Sequence, residues 1–250
     1  MTEFDATSGP PAPPMPTPDS VVDLDPGTFP YATWGMATAV IATLIALVAG
    51  IFLSLPVLVI DNPPDNGDPS VWATATLQFL TGASFIFVPF FVSLNYGGAF
   101  RAITGRLGFH RFKVSQAVKW IGIGIGSYLA FLIIYSQLIG TPEQDDFTGD
   151  FGPIWIQALL IVVLAPISEE VCFRGLLFGG IRNRFPMWPA ALLAGIVFGL
   201  LHATTGWSAV PVLIFFGMVL AIVYEKTGSI WPPIMIHLLN NAIALTSLNS

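Results

Sequence analysis

Five ionisable residues stand inside otherwise apolar stretches of this sequence. Glu169, Glu170 and Arg174 lie in APISEEVCFRGLLFGG (165–180), His202 ends FGLLH (198–202), and His237 begins HLLNN (237–241). Glu170 and Arg174 are four residues apart, a spacing that places both on one helix face and lets them pair. Glu169 is turned about 100° from its neighbour at 3.6 residues per turn, so the pair does not consume it. A carboxylate beside a histidine can hold a water and remove its proton. His237 and Asn241, also four apart, share a second face, and an imidazole and a carboxamide can donate hydrogen bonds to a developing oxyanion. The set suits attack of water on a carbonyl: peptide-bond hydrolysis without a covalent intermediate.

The elements that carry these residues are membrane helices. The chain has 250 residues, 54% hydrophobic and 10% charged, with a mean hydropathy of +0.75; soluble domains carry about 25% charged residues. A membrane helix needs about 20 predominantly apolar residues. Such runs occur at about 32–60, 71–95, 118–140, 154–180, 188–205, 208–224 and 230–248. The expected fold is therefore an all-α, polytopic transmembrane bundle of about seven spans, within a range of six to eight. The long first span contains Pro56 and is expected to tilt, kink or extend beyond the bilayer.

Charge orients the bundle. The connections 61–70 and 141–150 are acidic and hold no Lys or Arg, whereas 100–119 holds five basic residues, 180–186 two more, and Lys226 follows. Basic residues mark the cytoplasmic side, which puts the N-terminus inside. His110, in the basic loop, is expected to be an ordinary surface residue. Residues 1–30, rich in Pro and acid, read as a disordered tail. Three parts follow: that tail, N-terminal transmembrane helices over 31–151, and a C-terminal core over 152–250. The net charge of −6 argues against a nucleic-acid partner, because phosphate binding needs clustered Lys and Arg. The single cysteine, Cys172, excludes an intrachain disulfide and reads as a packing residue.

Depth links the fourth and fifth spans. Glu169 lies 15 residues before Arg184 and His202 lies 15 after Met187, so an antiparallel hairpin sets both about 22 Å from the turn. His237 is only about ten residues along its own helix and reaches that level only if the 180–187 hairpin projects beyond the bilayer. Pro166 and Ser168 are expected to kink or restart the helix, with Ser168 as a cap, opening room for water beside Glu169. GIGIG (122–126) reads as packing glycine, and GIVFG (195–199) as a site of close helix approach.

Taken in order on three apolar helices, EEVCFR (169–174), FGLLH (198–202) and HLLNN (237–241) resemble the motifs of the CPBP family of intramembrane proteases. That family includes the type II CAAX prenyl endopeptidases (Rce1-like) and the bacterial Abi or bacteriocin-processing proteins. The resemblance covers roughly 152–250. It implies Glu169 as general base acting on water with His202, His237 and Asn241 as the oxyanion site, Glu170 and Arg174 as supports, and Phe198 packed beside the histidine. It implies a peptide or lipidated protein as substrate, a bilayer around the protein and no cofactor. The short termini and lack of a retention signal fit a bacterial plasma membrane.

Other readings use the same residues. Two His and a Glu can ligate zinc, although no His-Glu-x-x-His is present. Intramembrane Glu and His also serve proton relays; a proton-coupled carrier is disfavoured by the lack of an internal repeat. A buried structural ion cluster or a non-enzymatic scaffold are the remaining alternatives.

Overall fold

In a bilayer every backbone polar group must be satisfied within the protein, which leaves helices as the solution for long apolar runs of this kind. The computed structural model describes residues 29, 31–63, 67–142 and 151–248, and among them no strand occurs. The helices are α1 (Met36–Asp61), α2 (Val71–Leu94), α3 (Phe100–Arg106), α4 (Val114–Leu138), α5 (Ile154–Arg182), α6 (Met187–Leu201), α7 (Val210–Thr227) and α8 (Trp231–Leu248). Two 3₁₀ turns, Ala203–Thr205 and Trp207–Ala209, join α6 to α7. Among the described residues, six helices are long and apolar enough to cross a membrane. The expected seventh span does form a helix, α8, but Pro232, Pro233, His237, Asn240 and Asn241 lower its hydropathy. Apart from Phe29, the expected tail lies outside the described residues, as do 64–66 and 143–150 of the acidic connections. Phe29 is already packed: its ring lies 5.0 Å from that of Tyr224 and 5.7 Å from that of Phe178.

Helix α5 runs through the centre. It packs against α1, α2, α6, α7 and α8, and 171–181 is buried throughout. On its other side α6 lies tightly along α7. A Cβ on Gly195 or Gly199 would collide with the backbone of Ile214, and one on Gly217 would meet Gly195 and Phe198. The close approach expected of GIVFG is therefore present. In GIGIG only Gly124 packs, against Val223 and Val219; Gly122 and Gly126 face open space.

The basic segment 100–119 is not a plain loop. It contains α3, and Arg106 is buried, its guanidinium donating to the carbonyls of Ser93 (3.1 Å), Gly97 (2.8 Å) and Tyr96 (3.3 Å). A cation there satisfies the orphaned carbonyls at the C-terminal end of α2 and meets the negative end of its dipole. Nearby, Arg182 makes a two-pronged ion pair with Glu225 (2.6 and 2.8 Å), tying the end of α5 to that of α7. The stretch before α1 closes over the same end. Tyr31 Oη donates to Gly228 O, Trp34 Nε1 to Leu176 O, and Asn183 Nδ2 to the carbonyls of Ala32 and Trp34.

His110 is half-buried in this end rather than on the surface. Its ring lies 4.2 Å from that of Tyr31, and its carbonyl accepts from Ser229 Oγ at 2.7 Å. Burial holds its imidazole below the ordinary value; the charge of Arg101 acts in the same sense and the Gly105 carbonyl opposes it. The unfolded chain then binds the proton more readily, so stability is lost as pH falls below the unfolded value of about 6.5. Melting of the purified protein at pH 8 and pH 5.5 checks this: the acid-induced drop is expected to be smaller in His110→Phe than in the wild type.

Candidate active site

Helix α5 carries Glu169, Glu170 and Arg174 without a break. Pro166 and Ser168 neither interrupt nor cap it; Ser168 Oγ instead donates back to Ala165 O at 3.0 Å. The irregularity takes another form. Two π-helical stretches, Ala158–Leu164 and Val171–Phe178, flank the α-helical turn Ala165–Glu170. Such wide turns re-aim side chains and are frequent at functional sites.

The structure pairs Glu170 with Arg174 at 2.8 Å, and both are sealed, at 0% and 1% side-chain exposure. Arg174 is held further by the carbonyl of Gly217 (3.1 Å) and by its position 4.7 Å over the ring of Phe198. Glu170 is not consumed by that pair, however. Its Oε1 also lies 2.9 Å from Nδ1 of His237. A carboxylate oxygen accepts, so Nδ1 carries the hydrogen and Nε2 is the nitrogen presented to reactants. That Nε2 stands 3.7 Å from Glu169 Oε2, an oxygen that is buried without a hydrogen-bond partner. Glu169 keeps 17% side-chain exposure, so of the two glutamates it is the one a reactant can reach.

His202 sits at the C-terminal end of α6, half-buried. Its Nδ1 lies 2.8 Å from the carbonyl of Phe198, which again directs Nε2 outward. Among the described residues no hydrogen bond or ion pair joins Glu169 to His202; the histidine facing Glu169 directly is His237. The expected Phe198 packs against both histidines. Its ring is 4.8 Å from that of His202 and 5.8 Å from that of His237. Asn241 Nδ2 donates to the carbonyl of Ile161 at 2.9 Å, and its Oδ1 accepts from Asn240 at 3.3 Å.

Three contributors carried no readable signal in the sequence. Phe216 packs 5.4 Å from the ring of His237, while the carbonyls of Gly217 and Ile161 bind Arg174 and Asn241. An apolar side chain and two backbone groups leave no compositional trace. Among the described residues, no three His, Cys, Asp or Glu side chains stand close enough together to hold a metal ion. A groove of about 950 Å³ between α1, α2 and α3 is lined by residues such as Ile41, Phe87, Phe91 and Ile103, and none of the site residues borders it.

Residues 151–243, which hold this whole constellation, match the family model of the type II CAAX prenyl endopeptidases, Rce1-like. Over those residues, less than half of its length, the chain is similar to that family. Four curated relatives match the chain, among them the following two. The UPF0177 protein YxdF of Lactococcus lactis subsp. lactis (strain IL1403) is 29% identical over 110 residues, 42% of this chain and 59% of its own. The candidate membrane peptidase YdiL of Bacillus subtilis (strain 168) is 31% identical over 106 residues, 41% of this chain and 43% of its own. The chain thus spans about half the length of the curated relatives it matches. No solved structure matches it. With six spanning-length apolar helices among the described residues and a match to the Rce1-like family model over 151–243, it is an integral membrane protein whose environment is the lipid bilayer.

Proposed function

We propose that this protein is an intramembrane endopeptidase that hydrolyses a peptide bond of a membrane-associated substrate, prenylated or leader-bearing. The observation that carries the reading is the buried, unpartnered Glu169 Oε2 facing His237 Nε2 within residues that match the Rce1-like family model. YdiL, by its name a candidate membrane peptidase, supports the same class of reaction.

Glu169 acts as general base. It takes a proton from a water also held by His202 Nε2, and the oxygen of that water bonds to the substrate carbonyl carbon. The electron pair of the C=O moves onto oxygen, where the second amide hydrogen of Asn241 receives it together with His237 Nε2–H, the ring acting as an imidazolium that keeps its Nδ1 hydrogen on Glu170. Collapse reforms the C=O and breaks the C–N bond, and the proton on Glu169 passes to the leaving amine. Glu170 acts through His237: by occupying Nδ1 it fixes the ring, while Arg174 holds Glu170 in place. The basic connections face the cytoplasm of a bacterial plasma membrane, with the N-terminus on that side.

The test is cleavage of lipidated and unlipidated peptides by the purified protein in liposomes, scored by mass spectrometry. Cleavage by the wild type with loss in His202→Ala supports the reading. Proton flux without cleavage would assign the same residues to a carrier instead. A strong chelator is expected to leave the rate unchanged, and restoration of a chelated enzyme by zinc would overturn the metal-free mechanism.

A further inference from the structure

The π-helical stretch Ala158–Leu164 ends where it does for a chemical reason. In that stretch each N–H bonds to the carbonyl five residues back, and the last such bond runs from Ala165 N–H to Leu160 O. The next donor in the same register would be residue 166, bonding to Ile161 O. Residue 166 is proline and has no N–H. In that register the carbonyl of Ile161 is left without its helical partner, and an unpaired carbonyl at membrane depth is costly. Asn241 Nδ2 reaches across from α8 and donates to it at 2.9 Å.

We infer that Pro166 and Asn241 form a positioning lock: the missing N–H of Pro166 creates an acceptor on α5, Asn241 fills it, and α8 is thereby held where His237 meets Glu169 and Glu170. His237 lies one turn before Asn241 on the same face of α8, so the bond to Ile161 sets the level of the imidazole. His237 in turn makes the 2.9 Å contact to Glu170 and the 3.7 Å approach to Glu169. The two contacts pin α8 to α5 at two heights. Each of the two hydrogens on the Asn241 amide has its own role: one is committed to Ile161, and the other is left for the oxyanion. This inference rests on the peptidase reading for its catalytic consequence, but not for the lock itself.

A double-mutant cycle separates the two. Pro166→Ala restores an N–H at the position that can serve Ile161 O, so it relieves the need for Asn241. Asn241→Leu keeps the bulk and removes the donor, and Asn241→Ala is the second variant should Leu overpack. Melting temperatures of the full-length single and double variants in detergent read the lock without any activity. The loss caused by Asn241→Leu is expected to fall by at least half in the Pro166→Ala background; equal losses in both backgrounds would overturn the inference. Where the wild type cleaves peptide, Asn241→Leu is expected to lower kcat by about 10- to 100-fold with little change in KM, as misplacement of a reacting group does. Partial recovery of kcat in the double variant is expected from positioning. No recovery, with additive melting losses, would leave Asn241 as an oxyanion donor only. A wild type that cleaves nothing would sink the peptidase reading and still leave the melting cycle to decide the lock.

Discussion

Glu169→Gln is expected to lower the cleavage rate by about 10²- to 10⁴-fold, the range general-base removal commands, while the protein melts within a few degrees of the wild type. The two halves of this expectation have separate grounds. Gln has the shape of Glu but cannot accept a proton from water near neutral pH, so the step that makes the nucleophile is lost. The fold is spared because no hydrogen bond depends on Glu169 Oε2; its nearest ion-pair partner among the described residues is His237 Nε2, at 3.7 Å. Initial rates on a reconstituted peptide, with thermal melts of both proteins, check the two together. A variant keeping more than about a tenth of the wild-type rate would remove Glu169 from the role of base and shift attention to the Glu170–His237 pair. Glu170→Gln is a poorer probe of the chemistry, since that carboxylate also holds Arg174.

Arg174→Met carries the largest expected effect on folding, a loss of about 3–5 kcal/mol. The side chains of Arg174 and Glu170 are 1% and 0% exposed, so removing the cation leaves a carboxylate buried with no cationic side chain to offset it. The contact over the Phe198 ring at 4.7 Å is lost as well, worth about 1–2 kcal/mol when desolvated. The melting temperature in detergent is expected to fall on the order of 10 °C. Replacing both partners, Glu170→Leu with Arg174→Met, removes the stranded charge and is expected to recover most of that stability, as exchange of buried ion pairs for apolar residues does. Activity is not expected to return, because His237 Nδ1 then has no carboxylate to bind. A double variant that melts like Arg174→Met alone would show that packing around Arg174, not charge, sets the loss.

How far each feature could be read in the sequence follows from how local it is. The Glu170–Arg174 pair is an i,i+4 relation within one helix, and spacing alone specifies it. The close contact of α6 with α7 was readable because glycine removes the side chain that would separate two backbones. The basic segments were read as loop charges, yet Arg106 turned inward to close α2, since helix ends need donors that composition does not reveal. His110 failed as a surface residue for the same kind of reason: Tyr31, far away in sequence, covers it. Pro166 was expected to kink or restart α5. The helix instead continues by widening into a π turn and borrowing a donor from Asn241.

Residue types and their spacing were enough to establish a helical membrane protein and to single out Glu169, Glu170, Arg174, His202, His237 and Asn241. Hydropathy and i,i+4 geometry are properties of short segments and survive in any folded arrangement of them. Which histidine faces which glutamate is a different kind of fact. It depends on the height and rotation of α8 against α5, and those depend on a backbone carbonyl at Ile161, a carbonyl at Gly217 and the ring of Phe198. The hairpin distances favoured His202 as the neighbour of Glu169. Packing sets His237 beside both glutamates, a closeness that counting residues left conditional, because the height and rotation of α8 against α5 are decided by contacts between helices.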